Sequence, residues 1–202
     1  MIIGIMSDTH GNAKYMQKAC DLMIDKFGTE AIIHLGDDYD DAHGMDTKGL
    51  PLYTVPGMYE RAWYDDRIPH RIIKQFGGVV FLLSHTPTRD KRDKSGDINP
   101  ARALSEYGAE VLLHGHTHKY RVMESVDGLI VICPGHVRSD LDRGSPPTFA
   151  IVEAKRPNVG VKFISLDGDV LEERDLRIAK ADELDDMEST EVEDSSEDES
   201  SG

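Results

Sequence analysis

Four short apolar runs, each leading into acids or histidines, constrain the fold of this chain more than any other feature. IIGIM (2–6) leads into Ser7-Asp8-Thr9-His10, and AIIHL (31–35) into Gly36-Asp37-Asp38. VVFLLS (79–84) ends at His85, and EVLLHGHTH (110–118) carries His114, His116 and His118. Such continuous apolar runs suit strands buried on both faces rather than half-exposed ones. Between the first two, residues 13–27 place Met16, Ala19, Cys20, Met23 and Phe27 at helical spacing, and Gly28 ends the helix. With LPLYTV (50–55) as a third strand, the first quarter of the chain reads as strand, helix, strand, strand.

The pattern then changes. HRIIKQF (70–76), Gly77-Gly78 and the run from Val79 read as a hairpin. SGDINPARALSEYG (95–108) reads as a helix capped by Asn99, with Pro100 in its first turn and Gly108 at its end. YRVMESV and LIVICPG flank Asp127-Gly128, a strong hairpin turn. TFAIVEA, VGVKFISL and VLEERDLRI supply late alternating strands. The sum is an α/β chain whose second half is mostly antiparallel, which two packed sheets with helices outside accommodate.

A chain of 202 residues fits one domain, expected over residues 1–180. No apolar stretch is long enough to span a bilayer, and the N-terminus lacks the basic segment and cleavage site of a signal peptide. Cys20 and Cys133 lie far apart and show no metal-type spacing. Free thiols and a cytoplasmic location are the expectation. The net charge of −15 is uneven, since residues 182–199 hold eleven acidic side chains and no basic one. Residues 181–202 are therefore expected to form a disordered acidic tail. Neither body nor tail offers a basic footprint for nucleic acid.

In open α/β sheets, ligands gather at the carboxyl ends of strands. Asp8, His10, Asp37, His85, His116 and His118 all stand there, so they can converge although distant in sequence. Each is weak evidence alone; together, at the ends of apolar strands, they point to a metal site. Carboxylate and imidazole without thiolate suit Mn²⁺, Fe, Zn²⁺ or Ni²⁺ better than Ca²⁺. A closed structural zinc needs four ligands, so six candidates suggest two ions sharing a bridging carboxylate. Two such ions would attract an anionic substrate and acidify water, and the natural reaction is in-line attack on a phosphate ester.

The order D-x-H, GD, a Gly turn, SH and GHTH resembles the calcineurin-like metallophosphoesterases, in particular their small stand-alone bacterial and archaeal phosphodiesterases. SDTHGN, HLGD and HGHTH carry the resemblance, which spans about residues 1–166. It implies a four-layer α/β/β/α sandwich of two mixed β-sheets flanked by helices. It also implies two divalent ions, Mn²⁺ favoured, and a small phosphorylated substrate, a phosphodiester before a monoester. Asp8, His10 and His118 would hold the first ion and His85 and His116 the second, with Asp37 bridging. Asn12 would lie near the phosphate pocket, and Asp37, Asn12 and His116 are the expected catalytic residues. The family's Asn-Pro-Gly-Ser turn reads Cys133-Pro134-Gly135-His136 here, making His136 a candidate pocket residue.

One position departs from the family. Its Gly-Asn turn, whose asparagine ligates the second ion and helps hold the phosphate, reads Gly57-Met58-Tyr59-Glu60. A thioether is a poor ligand for Mn²⁺ or Zn²⁺. Three consequences are open: water fills the place, Tyr59 or Glu60 replaces the asparagine, or the second site stays empty. Six of the seven ligand positions keep competent side chains, which favours a working hydrolase with a weakened second site. The alternative is a binding module like the retromer scaffold subunit that shares this fold, with Met58 and Tyr59 as an apolar contact at the pocket mouth. A third possibility, a (β/α)8 metal hydrolase, needs about 250 residues, more than the ordered part of this chain provides.

Overall fold

The computed structural model describes residues 1–138 and 140–178. The acidic segment 181–202 and the domain boundary expected at residue 180 lie outside the described residues. Two mixed sheets stack face to face. The first has the order β11-β10-β9-β1-β2-β3, built from β1 (Ile2–Met6), β2 (Ala31–His34), β3 (Leu52–Thr54), β9 (Thr148–Lys155), β10 (Asn158–Ser165) and β11 (Val170–Arg177). The second has the order β4-β5-β6-β8-β7, built from β4 (Arg71–Phe76), β5 (Val79–Ser84), β6 (Val111–His114), β7 (Arg121–Glu124) and β8 (Ile130–Cys133).

Side-chain alternation sets the layers. Ile3, Ile5, Ala31 and Ile33 point inward and meet Phe81, Leu83, Val111, Leu113, Ile130 and Ile132 of the other sheet. The opposite face of the first sheet, with Met6, Ile32, Ile151 and Ile164, packs on Met16, Ala19, Cys20 and Met23 of α1 (Ala13–Asp25). Gly4 lets that helix come close, because a Cβ there would lie 2.5 Å from Sδ of Met23. The outer face of the second sheet, with Leu82 and Leu112, is covered by Ala103 and its neighbours. This is the four-layer sandwich that the family resemblance implies.

Parallel pairing joins β1 with β2 and β2 with β3 on one side of the first sheet, and β5 with β6 and β6 with β8 in the middle of the second. The carboxyl ends of β1, β2, β5 and β6 therefore emerge together, which places the site. The antiparallel strands β9, β10 and β11 fill the other side of the first sheet, and β4 and β7 form the two edges of the second. The β4–β5 hairpin turns at Gly77 and Gly78, with φ of 55° and 81°, the left-handed pair a tight hairpin requires.

One helix is shorter than the sequence suggests. The helix expected over 95–108 is a 3-10 turn, Pro100–Arg102, followed by one helical stretch of five residues, here α3 (Ala103–Tyr107). Residues 95–99 stay in a loop because Asp97 accepts from His70 Nδ1 and from the Lys94 amide, both at 2.7 Å. Asn99 caps as expected, accepting from the Ala101 amide at 3.2 Å, and Gly108 ends the helix at φ 63°. α2 (Tyr39–Ala42), absent from the sequence reading, is a single turn after Asp38. Among the described residues, no helix is long and apolar enough to cross a membrane.

Candidate metal centre

Ligand atoms of Asp8, His10, Asp37 and His118 lie within 4.8 Å of one another. His118 Nε2 is 3.0 Å from Asp8 Oδ1 and 3.2 Å from His10 Nε2, and His10 Nε2 is 3.4 Å from Asp37 Oδ2. The other oxygen of Asp37, Oδ1, is 3.6 Å from His85 Nε2. The His85 and His116 rings meet edge to face at 5.3 Å. All six residues expected to bind metal therefore share one cleft. Asp8, His85 and His118 form its buried floor, while the more exposed His10, Asp37 and His116 leave it open to solvent.

The backbone pays little attention to comfort here. Asp8, His10, Asp37, His116 and His118 have φ of 55°, 51°, 56°, 65° and 61°, the left-handed region that residues other than glycine rarely adopt. Strain of this kind persists where surrounding contacts enforce it and clusters at functional sites. The enforcing contacts are visible. The Asp8 amide donates to Gly36 O at 2.9 Å, joining the ends of β1 and β2. The Gly115 amide donates to His85 O at 3.0 Å, joining the ends of β5 and β6. The turns also touch: a Cβ on Gly115 would lie 1.9 Å from Ser7 Oγ, and one on Gly57 would lie 2.0 Å from Asp37 Oδ1.

The donor set fits a cation. His85 Nδ1 donates to Leu35 O at 2.7 Å, so its Nε2 carries a lone pair. That Nε2 is buried without a hydrogen-bond partner and faces the Asp37 carboxylate. Two acceptors facing each other across a short gap are repulsive unless a cation lies between them. Burial alone would raise the Asp8 pKa. The hydrogen bond from His118, the fields of His85 and His118 and the Ser7 hydroxyl outweigh it and hold the carboxylate well below its usual range. Burial likewise opposes protonation of His118, but its bonds to Asp8 and Asp142 raise its pKa. A cation at its Nε2 would compete with that proton. Burial, followed by the field of His85, lowers the pKa of His116.

The remaining expected residues are placed as follows. Asn12 caps α1, its Oδ1 accepting from the Tyr15 amide at 3.2 Å. Asp38 accepts from the Gly11 amide and so braces the loop carrying His10. Met58 is 3% exposed, so it offers no apolar contact at the surface, whereas Tyr59 is 70% exposed with the Arg92 guanidinium 4.8 Å over its ring. Glu60 has both oxygens engaged: Oε1 accepts from the Asp38 and Gly57 amides at 2.7 and 3.0 Å, and Oε2 from the Tyr39 amide at 2.8 Å. It stitches the Asp37 loop to the Gly57 turn. His136 is fully buried; Nε2 donates to Ser145 O at 3.0 Å and Nδ1 accepts from the Arg138 amide at 3.2 Å, with its ring 5.6 Å from that of His118.

Sequence reasoning missed Ser7, which donates to Asp8 Oδ2, and Asp142, which accepts from His118 Nδ1. Ser7 adjoins the DTH motif and was within reach of a motif search; Asp142 lies 24 residues from its partner in a turn-prone stretch with no signal linking the two. A second acid–histidine group, His70, Asp93 and Asp97, also gathers. There Asp93 pairs with buried Arg71 at 2.8 Å and Asp97 binds His70, so these acids hold a loop together.

A cleft of carboxylates and imidazoles at the strand ends of a two-sheet sandwich defines the class of a metallophosphoesterase-like protein. Residues 1–156 match the model of the calcineurin-like phosphoesterase superfamily domain, and the chain belongs to that family. The phosphodiesterase MJ0936 of Methanocaldococcus jannaschii is 27% identical over 169 residues, covering 77% of this chain and 95% of that protein. Among solved structures, a Streptococcus pneumoniae protein described as a predicted phosphoesterase superposes with a TM-score of 0.65 at 19% identity, covering 87% of this chain and 97% of that one. Vps29 of Chaetomium thermophilum superposes with a TM-score of 0.61 at 14% identity, covering 88% and 99%. The family and the ligand groups support a hydrolase of phosphate esters that uses divalent metal.

Proposed function

We propose that this chain is a dinuclear-metal phosphodiesterase with a weakened second metal position. The observation that carries it is Asp37, whose Oδ2 faces His10 while Oδ1 faces His85. One carboxylate is thus presented to two histidine groups. Asp8, His10 and His118 with Asp37 would hold the first ion, and His85 and His116 with Asp37 the second. When bound, such a pair supplies positive charge for a phosphate ester and acidifies water toward a nucleophile near neutral pH, with Mn²⁺ the favoured ion.

The chain's own groups then have definite tasks. The donor atoms on the floor orient what enters, and the open side at His10 and His116 admits a small phosphorylated substrate. The Asn12 carbonyl oxygen is committed to its cap, which leaves its amide N–H groups to donate to a phosphate oxygen. The Gly57 turn touches Asp37, which supports the reading that Met58, next in the chain, brings a thioether where the family's asparagine oxygen would meet the second ion. Loss of one neutral ligand is expected to weaken affinity there about 10–100-fold, by analogy with losses around metal ligands. A phosphodiester is favoured by the likeness to the archaeal phosphodiesterase. A cytoplasmic location remains part of this proposal.

The binding-module alternative draws on the Vps29 fold and on exposed Tyr59. Hydrolysis of bis-p-nitrophenyl phosphate in Mn²⁺ separates the two. Turnover that chelation abolishes and Mn²⁺ restores supports the enzyme. Absence of turnover in saturating Mn²⁺, for the natural chain and for Met58→Asn alike, supports the module.

A further inference from the structure

We infer that Asp142 is a positioning residue for the first metal position: it holds His118 in the tautomer and orientation that direct Nε2 into the cleft. The inference rests on the metal-binding reading above and adds a residue that no motif of the chain contains. Asp142 Oδ2 accepts from His118 Nδ1. With the Nδ1 proton held by Asp142, it is Nε2, 3.0 Å from Asp8 Oδ1 and 3.2 Å from His10 Nε2, that would exchange its proton for a cation. Imidazole ligands generally need their second nitrogen held in this way, by a carboxylate or a carbonyl. His85 uses Leu35 O for the same purpose, so the two buried histidines of the site have different anchors.

Asp142 is itself held firmly, although it lies on a loop. Its amide donates to Ser145 O at 3.0 Å and the Ser145 amide donates back to Asp142 O at 2.8 Å. Between them Arg143 and Gly144 have φ of 49° and 79°, the left-handed pair of a tight hairpin turn. The Arg138 guanidinium donates to Asp142 Oδ2 at 3.1 Å, and His136 pins Ser145 O from below. Arg143 Nη1 donates to His116 O at 3.1 Å and Thr117 O at 3.4 Å. The turn therefore grips the His116-Thr117-His118 loop twice, through its backbone by Arg143 and through its second imidazole by Asp142. This is a built support, and it belongs to a stretch that the expected ligand motifs do not include.

The test is Mn²⁺ binding by calorimetry to the full chain, comparing the natural protein with Asp142→Ala and Asp142→Asn. We expect Asp142→Ala to weaken the tighter binding step about 10–100-fold. Asp142→Asn, which still accepts from Nδ1, should recover most of that loss. With diamagnetic Zn²⁺ bound, nitrogen shifts of labelled His118 should report the proton on Nδ1 in the natural protein and Asp142→Asn, and a mixture of tautomers in Asp142→Ala. The melting temperature of the metal-free protein should change little among the three. Natural affinity in Asp142→Ala, or an unchanged tautomer, overturns the inference and leaves the metal site standing. Equal loss in Asp142→Asn and Asp142→Ala also overturns it, since charge rather than orientation would then be at work. A natural protein that binds no Mn²⁺ overturns the metal reading and this inference together.

Discussion

The amide of His116 donates to both carboxylate oxygens of Asp8, at 2.9 and 3.2 Å, and so ties the end of one sheet to the end of the other. Asp8 follows β1 and His116 follows β6. A residue proposed to hold the first ion is thereby fixed to the backbone of one proposed to hold the second. Small changes at either strand end should reach both positions.

In the proposed centre Asp37 is the residue both positions share, so its amide should disable that centre. Asp37→Asn keeps the shape but removes the charge that two cations need. Turnover of bis-p-nitrophenyl phosphate is expected to fall about 10³-fold or more, a loss as large as that of a principal electrostatic group. Bound metal measured after dialysis should fall with it, while the fold, read by circular dichroism, should stay intact.

Met58→Asn restores the amide oxygen to the turn that touches Asp37. Second-ion affinity is expected to rise about 10-fold or more, and turnover to rise with it. Calorimetric titration with Mn²⁺ alongside steady-state kinetics measures both. If neither changes, the side chain at 58 does not face the second position.

Glu60 acts through the backbone, accepting three amide N–H groups from the two loops it joins. Glu60→Ala leaves three partly buried amide donors without their partner and should cost about 1–3 kcal/mol of stability in urea unfolding. The Asp37 loop should loosen as well, raising the Mn²⁺ concentration needed for half-maximal turnover. Burial opposes the charge on Glu60 and raises its pKa, although the three amides work the other way.

His34 gives a pH dependence outside the ligand set. Burial lowers its pKa from 6.5 to about 4, while Nε2 pairs with Thr9 Oγ1 at 2.8 Å. The unfolded chain takes up a proton near pH 6.5 that the folded chain resists until about pH 4. Stability is therefore full above pH 6.5 and lost as pH falls between those values, on the order of 3 kcal/mol from this residue. Urea unfolding of the metal-free protein at several pH values should show that slope, and His34→Gln should remove His34's share while leaving that of His114, whose pKa burial also lowers to about 4.

Much of the fold was legible because continuous apolar runs and glycine turns announce buried strands and hairpins. IIGIM, AIIHL and VVFLLS became strands that the cores on both faces require, and Asp127-Gly128 turned a hairpin as its chemistry demands. The segment 95–108 misled because helical spacing there competes with Asp97, whose carboxylate ties the chain to His70. At the site, the gathering of acids and imidazoles was legible since motifs put them at strand ends. Their supports were not. Whether Glu60 turns toward a cation or toward three amides, and whether Asp142 reaches His118, depends on loop paths that no local pattern encodes.

The central claim is that two cations share Asp37. Anomalous scattering from crystals grown with Mn²⁺ tests it most directly. Two peaks are predicted in the cleft, one among Asp8, His10 and His118 and the other beside His85 and His116, both in contact with the Asp37 carboxylate. Crystals held in millimolar Mn²⁺ that show no peak at Asp37 would contradict the account.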